Sequence, residues 1–114
     1  MRPKQKHEAD ETSGYRHARL ERLLTSEVRA LVSDDVVDPR LADVEITRGV
    51  LSIDYRHLRC HFVVARKETT IERAEAERAL ERATPFLRAR LADAIDLKRT
   101  PELRFVFDGV VADR

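Results

Sequence analysis

The chain has no tryptophan, one cysteine, three glycines and four prolines among its 114 residues, and aromatic side chains make up only 5% of it. Any core must therefore be aliphatic. Cys60 alone permits no internal disulfide and no cysteine-based zinc cluster. Glycine occurs only at 14, 49 and 109, so no glycine-rich phosphate loop is present. The longest apolar run, Phe62 to Ala65, is strand-sized and far below the roughly 18 residues that a membrane span requires. The basic opening of Arg2, Lys4 and Lys6 is followed by acids rather than by the apolar stretch of a secretion signal. A cytoplasmic protein of one domain, bound to no membrane, is the expectation.

What the chain does have is charge, in 22 Lys and Arg against 21 Asp and Glu. The near-balance conceals segregation. Residues 1–22 carry a net +2, residues 23–54 a net −4 and residues 55–114 a net +3. Arg56, Arg59, Arg66 and Lys67 form one basic group, and Arg82, Arg88, Arg90, Lys98 and Arg99 form another. Eighteen of the 22 cations are arginine, the side chain best shaped for bidentate phosphate contacts and for stacking on bases.

Hydrophobic spacing divides the chain further. Residues 1–14 lack apolar periodicity and read as a flexible tail. Leu20, Leu23, Leu24, Val28 and Leu31 lie on one helical stripe, which predicts a helix over 15–33 with Arg22 and Arg29 on its far side. Asp38-Pro39 ends that pattern. Alternation predicts a strand over about 43–53, with Val44, Ile46 and Val50 on one side and Leu51 on the other. A second, antiparallel strand follows, in which Leu58, Cys60, Phe62 and Val64 face inward. A helical stripe then runs from Ala76 to Ala94, interrupted at Pro85. Thr84 as N-cap and Pro85 at the first helical position predict that one helix stops and another starts there. Leu103, Phe105 and Phe107 mark a third strand, ended by Asp108-Gly109. The order is α-β-β-α-kink-α-β, an α+β domain whose three-stranded sheet carries its helices on one face.

Catalysis finds little support. His57, Cys60 and His61 resemble metal ligands, but adjacent strand residues point to opposite faces and cannot share one ion without a bulge. Ser52 and Asp54 beside His57 lack a positioned base and oxyanion hole. The expectation is no enzyme, no metal, no cofactor and no small-molecule substrate. Phosphate binding fares better, because a helix starting at Pro85 would aim free backbone donors and a positive dipole end at a ligand, with Arg88 and Arg90 close by. Arg88 and Arg90 could equally solvate a helix face, as could Arg16, Arg19 and Arg22.

Several segments together resemble ribosome-binding factor A: Asp38-Pro39-Arg40-Leu41, Ile46-Thr47, the strand end Val50 to Asp54, the Leu80, Ala83, Phe86, Leu87, Arg88 helix pair, and Pro101 to Asp108. The resemblance covers about 15–108. It implies a type II KH-like domain over 15–108, between a tail at 1–14 and a short one at 109–114. It also implies a non-enzymatic assembly factor that binds the free or immature 30S subunit and assists maturation of 16S rRNA, including in the cold. Arg16, Arg19, Arg40, Arg88, Arg90, Lys98 and Arg99 are then the expected RNA-binding residues, and a monomer is the expected state. Ala83-Thr84-Pro85 stands where the family usually has an Ala-x-Gly turn, and Leu58 where it usually has Ala. The other reading is a small protein-interaction module that uses a sheet edge and binds no RNA.

Overall fold

The computed structural model describes residues 3–36, 38–65 and 73–111, with side chains of the first helix described from Gly14 onward. The elements are α1 (Pro3–Ala30), a π-type turn (Leu31–Asp35), a 3-10 turn (Pro39–Leu41), β1 (Val44–Leu51), β2 (His57–Ala65), α2 (Arg73–Ala94) and β3 (Glu102–Val111). The sheet order is β1-β2-β3, with β1 antiparallel and β3 parallel to β2. The α+β class and the three strands are as the sequence implies.

Helix α1 begins at Pro3, inside the segment read as a tail. Lys4, Gln5, Lys6, Glu8 and Ala9 are good helix formers, and proline suits a first turn. A missing apolar stripe shows only that this segment has little to bury, not that it avoids the helix. Further along, Leu24, Val28 and Leu31 are buried, while Leu23 is 49% exposed and leaves the stripe.

Strand β1 departs from simple alternation. Its register against β2 shifts between Ile46 and Arg48, so Thr47 is an extra residue. Val44 and Ile46 face the core before the bulge, and Leu51 does so after it, while Val50 turns outward. The inserted residue reverses the period-2 parity, which a sequence count starting at Val44 carries straight through. Strand β2 keeps its predicted parity, with Leu58, Cys60 and Phe62 fully buried. Strand β3 continues past Asp108-Gly109 to Val111. Gly109 takes φ +131, a second register shift follows Phe62, and Val110 pairs with Val64. Residues 66–72, with Arg66 and Lys67 among them, and residues 112–114 lie outside the described set.

Helix α2 passes through Pro85 without a break. The helix start expected at Thr84-Pro85 is absent, and with it the free donors and dipole end beside Ala83. Thr84 is no N-cap, because its hydroxyl donates back to the Leu80 carbonyl at 2.9 Å. Two facts favour continuity. Leu80, Leu87 and Leu91 form one buried stripe on both sides of the proline, whereas Pro85 and Glu81, whose carbonyl loses its partner, lie on the exposed side, where water can serve that carbonyl.

Three turns of α1 seal the outer edge of β1. Glu21 Oε2 accepts from the Leu51 amide at 2.9 Å. Arg29, expected on the far side of the helix, donates to the carbonyls of Ile46 at 2.9 Å and Thr47 at 3.1 Å. Between them Thr25 crosses Gly49 so closely that a Cβ there would lie 2.0 Å from Thr25 Oγ1. The outer edge of β3 has no partner strand among the described residues.

Candidate nucleic-acid interface

The β1–β2 connection and the α2–β3 loop meet at one end of the domain. Ser52 organises the first of them. Its hydroxyl donates to Asp54 Oδ1 at 2.7 Å and accepts from the amides of His57 at 2.9 Å and Arg56 at 3.2 Å. Tyr55 takes the left-handed conformation, φ 66, that closes so short a turn. The Ser52 hydroxyl, and then the Arg56 amide, hold the Asp54 carboxyl below its ordinary range. His17 of α1 packs edge-on against the Tyr55 ring with centroids 5.2 Å apart, and its Nε2 donates to the Ser52 carbonyl at 3.1 Å.

The second segment is fixed by Arg88, whose guanidinium donates to the carbonyls of Pro101 at 3.1 Å and Thr100 at 3.0 Å. The Glu102 amide donates to the Arg56 carbonyl at 2.8 Å and joins the two loops. Between them lies a cleft of about 340 Å³ lined by Leu20, Tyr55, Leu97 and Pro101, with Arg56, Lys98 and Arg99 at its rim against one acid, Asp54. That acid is already engaged by the turn. Arg16 sits one helical turn before Leu20, so its charge is added to the same end. Tyr55 and Ile53 are exposed here, Ile53 at 91%. Exposed cations around an apolar floor with an accessible ring can hold phosphates and stack a base.

The residues expected to bind RNA therefore separate. Lys98, Arg99 and Arg16 share the cleft end, and Arg19 is exposed on the same stretch of α1. Arg88 is engaged with two backbone carbonyls and so ties α2 to the loop. Arg90 reaches Asp35 at 3.2 Å and lies 5.6 Å from the Phe86 ring, and Arg40 Nε donates to Asp38 at 3.1 Å. The Arg40 amide, and then its guanidinium, lower the Asp38 pKa. Ala83, Thr84 and Pro85 lie mid-helix and form no junction. Cys60 and His61 point to opposite faces of β2, the first buried and the second bonded to Asp108 at 3.0 Å.

Sequence reasoning passed over Tyr55, since Asp54 to His57 read only as a connection. A tyrosine in a turn beside an arginine was the available signal. A second groove of about 630 Å³ runs between α2 and the open edge of β3, where Glu77, Glu81 and Glu102 face Arg78 and Arg104. Its charge is mixed, unlike that of the cleft.

Residues 16–114 match the family model described as Ribosome-binding factor A. The chain is 34% identical over 99 residues to the ribosome-binding factor A of Ruthia magnifica subsp. Calyptogena magnifica, covering 87% of this chain and 85% of that one. Against that of Heliobacterium modesticaldum it is 35% identical over 96 residues, 84% of this chain and 78% of the other. The crystal structure of ribosome-binding factor A from Thermus thermophilus superposes with a TM-score of 0.71 at 30% identity, covering 80% of this chain and 93% of that one. A homology model of Thermus thermophilus ribosome binding factor A, fitted into the cryo-EM map of a 30S-RbfA complex, gives 0.53 at 33% identity, with 79% and 88% covered.

Proposed function

Because the chain belongs to the ribosome-binding factor A family, we propose that it binds the small ribosomal subunit and its precursors, with Arg56, Lys98 and Arg99 on rRNA phosphates. The observation that carries this reading is the cleft between the two loops, where three cations surround an apolar floor and meet one acid. The Thermus relative fitted in a 30S complex supports the choice of partner. In this reading the protein acts as a cytoplasmic monomer, without catalysis, and assists late maturation of 16S rRNA, including at low temperature.

The test is co-sedimentation with immature small subunits across a salt series. Binding should weaken steeply as salt rises, and Arg56→Gln/Lys98→Gln/Arg99→Gln should flatten the log–log slope by roughly 2 to 3, at about 0.7 to 0.9 for each phosphate no longer neutralised. An unchanged slope in that variant removes the cleft from the interface. No sedimentation of the wild type at low salt ends the reading.

The open edge of β3 favours a second reading. In the parallel ladder Glu102 bonds toward β2, so Leu103, Phe105 and Phe107 turn their backbone groups outward, where an extended peptide could add. Such binding would survive moderate salt and nuclease treatment.

A further inference from the structure

Both helices cover one face of the sheet, and among the described residues no helix packs on the other. On that other face Val50, Arg59 and Arg104 form one rung across the three strands, and Arg48, His61 and Val106 form the next. Arg59 and Arg104 are exposed, directly opposed on neighbouring strands, and among the described residues neither has a carboxylate within salt-bridge distance. Arg104 also borders the groove that Glu77 and Glu81 line, but Glu77 is taken by Arg73 at 3.1 Å and neither pairs with Arg104, and the other acids near this face are engaged or set apart. Asp108 is held by His61 at 3.0 Å, Glu102 lies 3.9 Å from His57, and Glu45 pairs in register with Val63, beyond the second rung. Like charges opposed across strands work against the sheet unless an anion joins them. A shallow pocket of about 340 Å³ lies at this rung, lined by Val50, Ser52, His57, Arg59 and Arg104.

We propose that this pocket is a second phosphate-binding site for an RNA backbone, with the Arg59 and Arg104 guanidiniums sharing one phosphodiester and Arg48 meeting a neighbouring one. The proposal rests on the reading that the chain binds RNA. Arg48 lies two residues along β1 from Val50, about 6.8 Å away at a strand's rise, a step comparable to that between successive backbone phosphates. The Ser52 hydroxyl is committed to its turn, so His57 is the other side chain at the pocket with a ring nitrogen to offer. Among the described residues nothing encloses the site, which favours a polymer that contributes several phosphates over a free anion. The turn Ser52 to His57 divides this pocket from the cleft. Tyr55 and Arg56 face the cleft, while Ser52 and His57 face the sheet. An RNA strand passing over the turn would meet cations on both sides of it.

The experiment uses the full chain carrying Arg59→Thr/Arg104→Thr, with three probes: a mixed-sequence single-stranded RNA oligonucleotide, inorganic phosphate at matched ionic strength, and immature small subunits. For the oligonucleotide, the log–log salt slope should fall by about 0.7, from the loss of the one shared phosphate contact. Backbone amide signals of Arg59 and Arg104 in the wild type should shift on RNA addition, and the double variant should melt no lower than the wild type, since threonine suits a strand and the opposed charges are gone. An unchanged slope overturns the proposal. So does saturation of the same amide shifts by millimolar inorganic phosphate alone, which would make the pocket a free-anion site. If the wild type failed to sediment with small subunits while the oligonucleotide slope still depended on Arg59 and Arg104, the subunit reading would fall and the sheet contact would stand. Subunit binding with an unchanged oligonucleotide slope gives the reverse.

Discussion

Replacing Gly49 by alanine tests how α1 is fitted to β1. The new Cβ would sit 2.0 Å from Thr25 Oγ1, 3.1 Å from Thr25 Cβ and 3.2 Å from Thr25 Cγ2. An ordinary contact needs more than 3.4 Å, so the hydroxyl intrudes by well over 1 Å and the other two atoms by a few tenths. Rotating Thr25 gives up its 2.7 Å hydrogen bond to the Glu21 carbonyl. Moving α1 instead strains the Glu21 and Arg29 contacts a turn to either side. Overpacking of this kind costs about 1–3 kcal/mol, and the crowding of two buried atoms plus a lost hydrogen bond argues for the upper half. Thr25→Ala alone should cost about 1 kcal/mol. In the double variant the clash with the hydroxyl no longer exists, so the two costs should fail to add by about 1–2 kcal/mol. Urea denaturation of the four proteins, with a common m value, measures this. Strict additivity, or a Gly49→Ala cost under about 0.5 kcal/mol, would refute the close approach of helix and strand.

Pro85→Ala should raise stability, by up to about 3 kcal/mol, because α2 is continuous and regains a backbone hydrogen bond to Glu81; a neutral or destabilising result would instead place a helix start at Pro85. Arg88→Met should lower stability by about 1.5–3 kcal/mol in denaturant melts, since the Thr100 and Pro101 carbonyls lose charged donors. Burial pushes the Cys60 thiol up to about 12, so native protein at about pH 9, where an unfolded thiol ionises, should react with a thiol reagent far more slowly than unfolded protein. The raised folded pKa contributes stability that is fully present below the unfolded value near 9 and is lost as pH rises toward about 12. The stability gap between wild type and Cys60→Ala should therefore shift against the wild type by about 1.4 kcal/mol per pH unit in that window.

Where each element's periodicity was unbroken, the sequence was readable. Leu58, Cys60, Phe62 and Val64 announced β2 and its inward face, and the ordered segments from Asp38 to Asp108 announced the family. The failures share a physical cause, which is that local signals say nothing about the surroundings. Thr47 adds a residue to β1, visible only against the facing strand and with its carbonyl held by Arg29, so the inward residue after the bulge is Leu51 rather than Val50. Pro85 carries the local chemistry of a helix start, yet burial of Leu80 and Leu87 on one stripe keeps the helix whole. Arg88 and Lys98 look equivalent in sequence. Only the path of the chain after α2 puts carbonyls within reach of the first and solvent around the second. The same blindness hid Arg59 and Arg104, which lie far apart in sequence and become neighbours only through a parallel pairing.

The sealing of β1 by Glu21, Thr25 and Arg29 has a bearing on how copies of this chain can associate. A sheet with two bare edges can add copies at both and grow without limit. With one edge occupied by its own helix, pairing through the sheet can involve only β3 against β3, an arrangement of two-fold symmetry that is complete at two copies. Edge-to-edge association of the folded chain thus terminates at a pair, and a fibre would first require α1 to peel away from Gly49.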